Sequence, residues 1–173
     1  IGLAKAVQGR YSEGGSNLDY LTWKANFLKE YFWTTIKTRL SKAHSKSGKQ
    51  YLGHWIKTGV HPLLTELNKQ WYQPKKIVPF ELVEKYLTPF SLAIWFCDDG
   101  CMDKHGAFLY TMAFTTQEVE WLSSLLLNKF GISNSILFNK KRQPFIRISS
   151  EGKNMLKEII APFKIPGMEY KYL

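Results

Sequence analysis

Two adjacent carboxylates, Asp98 and Asp99, close an apolar run from Leu92 to Cys97, and Gly100 follows them. If the run is a helix, both acids sit at the negative pole of its dipole, where they are disfavoured. A cation accounts for them, either a metal or a basic side chain. A second chemistry is spread along the chain as positive charge. From Tyr31 to Thr65 there is no Asp or Glu, while Lys37, Arg39, Lys42, Lys46, Lys49 and Lys57 occur there, with Tyr51 and Trp55 among them. Lys140, Lys141, Arg142 and Arg147 form a later group. Cations repeated at strand and turn spacing neutralise phosphates along a groove. The interleaved aromatics either stack on exposed bases of single-stranded or looped RNA, or belong to the core.

The whole composition agrees with the second chemistry. The chain has 24 Lys and Arg against 14 Asp and Glu, a formal charge of +10 and a pI near 9.5. A balance this basic favours a polyanionic partner, nucleic acid above all. No apolar run approaches the roughly 20 residues that span a bilayer, so no membrane partner is expected. Cys97 and Cys101 are too few for a disulfide framework and indicate a reducing compartment. No cysteine or histidine cluster completes a zinc site, and His44, His54, His61 and His105 are scattered. The residues begin at Ile1 without methionine, as in a mature form or a fragment, and show no targeting segment.

The acids must be carried by the helix before them. Thr88 is a suitable N-cap and Pro89 fits the first turn, where its missing N–H is not needed. Leu92 to Cys97 predicts burial over most of the helix surface. Beyond it, Phe108 to Phe114 reads as a strand. Thr115 and Glu118 have capping-box spacing; Val119, Leu122, Leu126 and Phe130 recur at helical intervals, and Gly131 ends that helix. Ser135–Phe138 and Phe145–Ile148 predict a hairpin around a basic turn, and Ser150 opens a last helix. The first half repeats the order: a helix end at Ile1–Val7, a helix from Thr22 to Trp33, a hairpin of Ile36–Leu40 and Tyr51–Ile56, and a helix from Pro62 to Trp71. Two such rounds predict an α+β chain with internal pseudo-duplication.

The nine residues Leu92 to Gly100 align without gaps to the LAGLIDADG signature of homing endonucleases, with Leu92, Ala93, Asp99 and Gly100 matching its letters. Lys75-Lys76-Ile77-Val78-Pro79, Leu87-Thr88-Pro89, Phe114-Thr115 and Ile165-Pro166-Gly167-Met168-Glu169-Tyr170-Lys171 follow the order found in the single-chain mitochondrial intron endonucleases. From about Val60 to Leu173 the chain resembles that family. The resemblance implies two pseudo-symmetric αββαββα halves, residues 1–86 and 87–173, as one compact pseudo-dimeric unit. It also implies central signature helices and a β-saddle that lies on the DNA major groove.

It further implies one aspartate from each signature helix and magnesium between them. Asp99 matches the second acid, with Asp98 as a supporting ligand, and hard cations prefer such oxygens. Lys76 and Lys171 match the family lysines near a scissile phosphate. At the first acid position stands Val7 or Gln8, depending on the alignment, and neither is an acid. The expectation is therefore a nucleic-acid-binding protein with cleavage lost or impaired, in a maturase-like or organellar ribosome-associated role. The alternative is an active magnesium-dependent, site-specific double-strand DNA endonuclease, and a third reading is a basic protein-binding module. The implied partner is structured RNA or double-stranded DNA, bound by a monomeric pseudo-dimer or within a ribonucleoprotein, in the mitochondrial or another organellar matrix.

Overall fold

A computed structural model describes residues 8–40 and 48–172 of the 173. The chain forms two compact units, residues 1–69 with 165–167 and residues 70–164 with 168–173.

In the first unit three strands form an antiparallel sheet in the order β1-β3-β2: β1 (Ser12–Gly15), β2 (Thr34–Leu40) and β3 (Leu52–Thr58). Helix α1 (Leu18–Lys29) starts where the Asn17 side chain accepts the N–H of Tyr20 at 3.1 Å. This cap sets the start four residues before the expected Thr22. Apolar spacing marks the buried face of a helix, whereas the cap marks its end. Leu21 and Ala25 of α1 pack on Ile56, with Leu28 and Ile36 beside them. Strand alternation then fixes both faces of the sheet. Ile36 pairs with Ile56 and Thr38 with His54 on the α1 side. Thr35, Lys37 and Arg39, paired with Lys57, Trp55 and Gly53, point to the open side. Helix α2 (Pro62–Trp71) is anchored near its start, where the Thr65 hydroxyl accepts the N–H of Gly9 at 2.9 Å.

The second unit runs α3 (Phe80–Tyr86), α4 (Pro89–Asp99), β4 (Gly100–Asp103), β5 (Gly106–Leu109), α5 (Thr116–Phe130), β6 (Asn134–Phe138), β7 (Pro144–Ile148) and α6 (Ser150–Ile160). From α4 onward this is an αββαββα order. Its antiparallel sheet is β4-β5-β7-β6. Leu92 and Phe96 of α4, Leu126 of α5 and Leu156 and Ile160 of α6 are fully buried, as are Leu109, Ile146 and Ile148 on the sheet. The helices therefore cover one sheet face, and Cys101, Ser135 and Arg147 are exposed on the other.

Helix α4 is dry along one side of its apolar run, while Ile94 and Trp95 are half-buried. Leu92, Ala93 and Phe96 are 0% exposed and Cys97 1%. The expected packing partner, Ile1–Val7, lies outside the described residues. The strand expected from Phe108 to Phe114 stops at Leu109. After it the buried Thr111 hydroxyl donates to the Pro144 carbonyl, and the Phe114 N–H turns back to the Thr111 carbonyl. The apolar letters there serve tertiary contacts, not a ladder. Strands β1 and β4 and helix α3 were not read from the sequence. Each strand has four residues, too few to show alternation.

Candidate nucleic-acid interface and the Asp99 cleft

Both ends of α4 are set by local chemistry. At its start the Thr88 hydroxyl accepts the Ser91 N–H at 3.2 Å, and the Ser91 hydroxyl accepts the Thr88 N–H at 2.7 Å. This reciprocal box with Pro89 behind it fixes the first turn. At the other end the chain passes straight into β4. A β-carbon on Gly100 would lie 2.3 Å from the Phe96 ring and 2.4 Å from the Phe96 carbonyl oxygen, so only glycine fits. The Asp99 carbonyl accepts the Tyr110 N–H at 2.9 Å. Asp98 and Asp99 are thereby held at a junction of helix and sheet, with both residues exposed.

Lys171 brings a cation to the same helix end. Its ammonium donates to the Gly100 carbonyl and sits 5.6 Å over the Tyr170 ring. Positive charge there complements the helix dipole.

Lys76 comes from the segment before α3. An antiparallel bridge between Tyr72 and Lys76 shapes that segment, and the Lys76 ammonium lies 5.1 Å over the Phe114 ring. Lys76 and Asp99 line one cleft of about 280 Å³, with Trp71, Trp95 and Phe114 among its apolar walls. They are the two charged residues of that lining.

Glu118 fixes the Lys76 segment in place. It is 8% exposed, and one carboxylate oxygen accepts the Val78 N–H at 2.7 Å. The other accepts both the N–H and the hydroxyl of Thr115 at 2.7 Å. Burial pushes this carboxyl up, but the three donations outweigh burial and hold it below the usual carboxylate range. The sequence showed Glu118 only as half of a capping box. Its bond to Val78, 40 residues away, had no local signal.

The structure thus brings Asp99 and Lys76 to one cleft and Lys171 to the end of the same helix. Gln8 is exposed, and Val7 lies outside the described residues. Glu13, the next carboxylate after the first acid position, is committed elsewhere: it pairs at 2.8 Å with the buried ammonium of Lys24. Asp98 and Asp99 offer the hard oxygens that magnesium prefers. Among the described residues no group of three His, Cys, Asp or Glu could hold a metal. A magnesium ion held by Asp99 and Asp98 would take the rest of its shell from phosphate and water.

The basic residues divide between strands and turns. Lys37, Arg39 and Lys57 are exposed on the open face of the first sheet, and Lys49 is exposed just before β3. Lys42 and Lys46 lie outside the described residues. On the second sheet Arg147 is exposed beside Phe108, its partner across the strands. Lys140, Lys141 and Arg142 are exposed on the β6–β7 turn. The Asn139 side chain builds that turn by accepting the N–H groups of Lys141 at 2.9 Å and Gln143 at 3.0 Å. Arg142 takes the left-handed conformation there, with φ 59°. The open face of the second sheet also carries Phe108, Tyr110 and Phe145, with centroids 6.0–6.5 Å apart, which the charge pattern did not reveal.

The model of the LAGLIDADG DNA endonuclease family matches residues 4–156. Cytochrome b mRNA maturase bI2 of Saccharomyces cerevisiae is 33% identical over 171 residues, covering 90% of this chain and 39% of that protein. Probable intron-encoded endonuclease 1 of Wickerhamomyces canadensis is 38% identical over 106 residues, covering 57% of this chain and 46% of that protein. The chain spans less than half the length of either relative. Among solved structures, the homing endonuclease I-WcaI bound to its DNA recognition sequence has a TM-score of 0.87 and 28% identity, covering 100% of this chain and 79% of that one.

Proposed function

The chain belongs to the LAGLIDADG DNA endonuclease family, and from that premise we propose that it binds nucleic acid without cutting both strands of DNA. The observation that carries this reading is the composition of the acidic site. Asp98 and Asp99 share one helix end, while the position matching the first acid holds Val7 or Gln8. Family chemistry places magnesium between two helix ends, where it stabilises charge on the attacking and leaving oxygens. With an isopropyl group in place of one carboxylate that ion loses a hard ligand; with an amide it keeps a carbonyl oxygen but loses the negative charge, so charge compensation falls in either case. The transition state is then poorly stabilised.

The binding part is intact. Lys76 in the cleft and Lys171 at the Gly100 carbonyl hold phosphate beside Asp99. Lys37, Arg39 and Lys57 on one sheet, and Arg147 with the Lys140–Arg142 turn on the other, neutralise further phosphates. A relative named as an mRNA maturase supports RNA as the partner and intron splicing as the role. The relatives named for cytochrome b mRNA support an organellar site of action.

The test is cleavage. The protein is incubated with magnesium or manganese and a pool of duplex targets, beside an Asp99→Asn control. The expected result is binding without specific double-strand breaks. Breaks that vanish in the control overturn the reading and establish an active endonuclease, which the shared cleft of Asp99 and Lys76 favours.

A further inference from the structure

We propose that the open face of the β1-β3-β2 sheet holds an unpaired nucleobase of RNA, stacked on the indole of Trp55. The proposal rests on the nucleic-acid-binding reading above and specifies the site and the form of its ligand.

The posture of the ring carries the argument. Gly14 on β1 is directly opposite Trp55, and Gly53 is two residues before it on β3. A β-carbon on Gly14 would stand 2.5 Å from the indole Nε1, and one on Gly53 would stand 2.6 Å from Cη2 at the far end of the ring system. Both ends of the indole therefore reach down to the height of the first side-chain atom above the strands. The ring lies along the sheet instead of standing off it. One π face covers two glycines, which stabilises the sheet. The other faces outward, and Trp55 is 41% exposed. Among the described residues no ring or cation covers that face. A ring already held flat loses little freedom when a ligand stacks on it.

Charge selects the ligand. Lys37 is the cross-strand partner of Trp55 on β2, and Arg39 is the partner of Gly53. Both line one depression with the indole. Lys57 is two residues along on the same face. Glu13, the carboxylate of β1, belongs to the opposite face, where Lys24 holds it. The surface is a flat π platform bordered by cations, which accepts a base above and phosphates alongside. A duplex offers no free base face, because its bases are stacked on one another. Loops and single strands of RNA do offer one, and the 33%-identical relative is named as a maturase of mRNA. The rings of the second sheet differ. Phe108, Tyr110 and Phe145 pack on one another, so they partly cover themselves.

The experiment uses the full chain and a short single-stranded RNA carrying 2-aminopurine, whose fluorescence is quenched on stacking. A hairpin-free duplex and the matching single-stranded DNA serve as comparison probes. The unaltered protein should quench the RNA probe and bind it more tightly than the DNA strand. Trp55→Ala should abolish the quench and weaken single-strand binding about 5- to 150-fold, leaving duplex affinity within about twofold. Trp55→Tyr, which keeps a flat ring, should restore both signals and controls for folding. RNA binding and quenching unchanged in Trp55→Ala would overturn stacking while leaving the nucleic-acid reading intact. Equal affinity for RNA and DNA strands would overturn the assignment to RNA. No binding of any probe by the unaltered protein would overturn the broader reading as well.

Discussion

Replacing Glu118 with alanine removes the acceptor of three hydrogen bonds from Val78 and Thr115. The Val78 N–H is shielded from solvent, because the residue is 4% exposed. Leaving such a donor unsatisfied costs about 1–3 kcal/mol, and losing half a capping box about 0.5–2 kcal/mol. The expected destabilisation is about 2–4 kcal/mol. Glu118→Gln keeps one acceptor oxygen but turns an amide N–H₂ toward one of the donors, so its cost is about 1–2 kcal/mol. The pH dependence separates charge from shape. The folded carboxyl titrates below its ordinary value of 4.5. Its contribution is therefore complete above the unfolded pKa and is lost as pH falls through the depressed folded pKa. The glutamine variant has nothing to titrate at this position. The stability gap between it and the unaltered protein should stay constant from about pH 7 down to the unfolded pKa and narrow as pH falls further through the folded one. Urea denaturation at several pH values measures that gap. Amide hydrogen exchange at Val78 and Thr115 reads the same bonds locally and does not require the two units to unfold together. Unchanged protection of both amides in Glu118→Ala, or a gap of constant size down to about pH 3, would refute the reasoning. Lys76 lies two residues before Val78, so the same variant should also loosen the cation that shares the cleft with Asp99.

Two further outcomes follow from charge placement. Changing Lys140, Lys141 and Arg142 together to alanine should weaken nucleic-acid binding and flatten the dependence of log affinity on log salt by about 0.9 for each lost phosphate contact; a salt titration checks this, and an unchanged slope would show that the turn does not face the ligand. Glu13→Gln keeps an acceptor but removes the charge opposite the 6%-exposed Lys24, whose ammonium also lies 4.5 Å over the Tyr20 ring, and should destabilise the protein by about 1–2 kcal/mol in urea denaturation, whereas no measurable loss would show that the charge of Glu13 contributes nothing there.

What the sequence revealed was whatever has a local cause. Helix α4 was legible because Thr88, Pro89 and six successive apolar residues each act within one or two turns. Helix α5 was legible because its capping box and its terminal Gly131 are local too. The two hairpins were legible because their strands are long enough to carry a pattern. By contrast, β1 and β4 are held by partners far along the chain, Ser12 by Lys57 and Gly100 by Leu109, and their own residues carry no alternation. The same rule governs the site. Asp99 and Lys171 were visible as letters in a motif, whereas the contact of Lys171 with the Gly100 carbonyl spans 71 residues. The anchoring of the Lys76 segment by Glu118 spans 40.

Trp55 shows the limit of letters most clearly. Read along the chain it is an aromatic in a basic hairpin, equally suited to a core or to a surface. Its strand phase decides the matter: His54 and Ile56 on either side are buried, so Trp55 must point to the open face. Phase alone leaves the ring free to stand or to lie. The glycines settle that, because a β-carbon at Gly14 or Gly53 would occupy the space the indole fills. Gly14 is 41 positions from Trp55 in sequence and directly opposite it in the sheet. Two small residues in separate strands thus determine what one large residue can offer a ligand. The cleft at Asp99 follows the same logic with charge in place of volume. Asp98 and Asp99, exposed together at one helix end, set what a phosphodiester bound there would meet. Binding draws on many cations and survives the loss of any one of them. Cleavage needs a full set of ligands on the transition state and does not. On the proposed reading, a single missing acid separates the two activities and leaves the basic faces to bind.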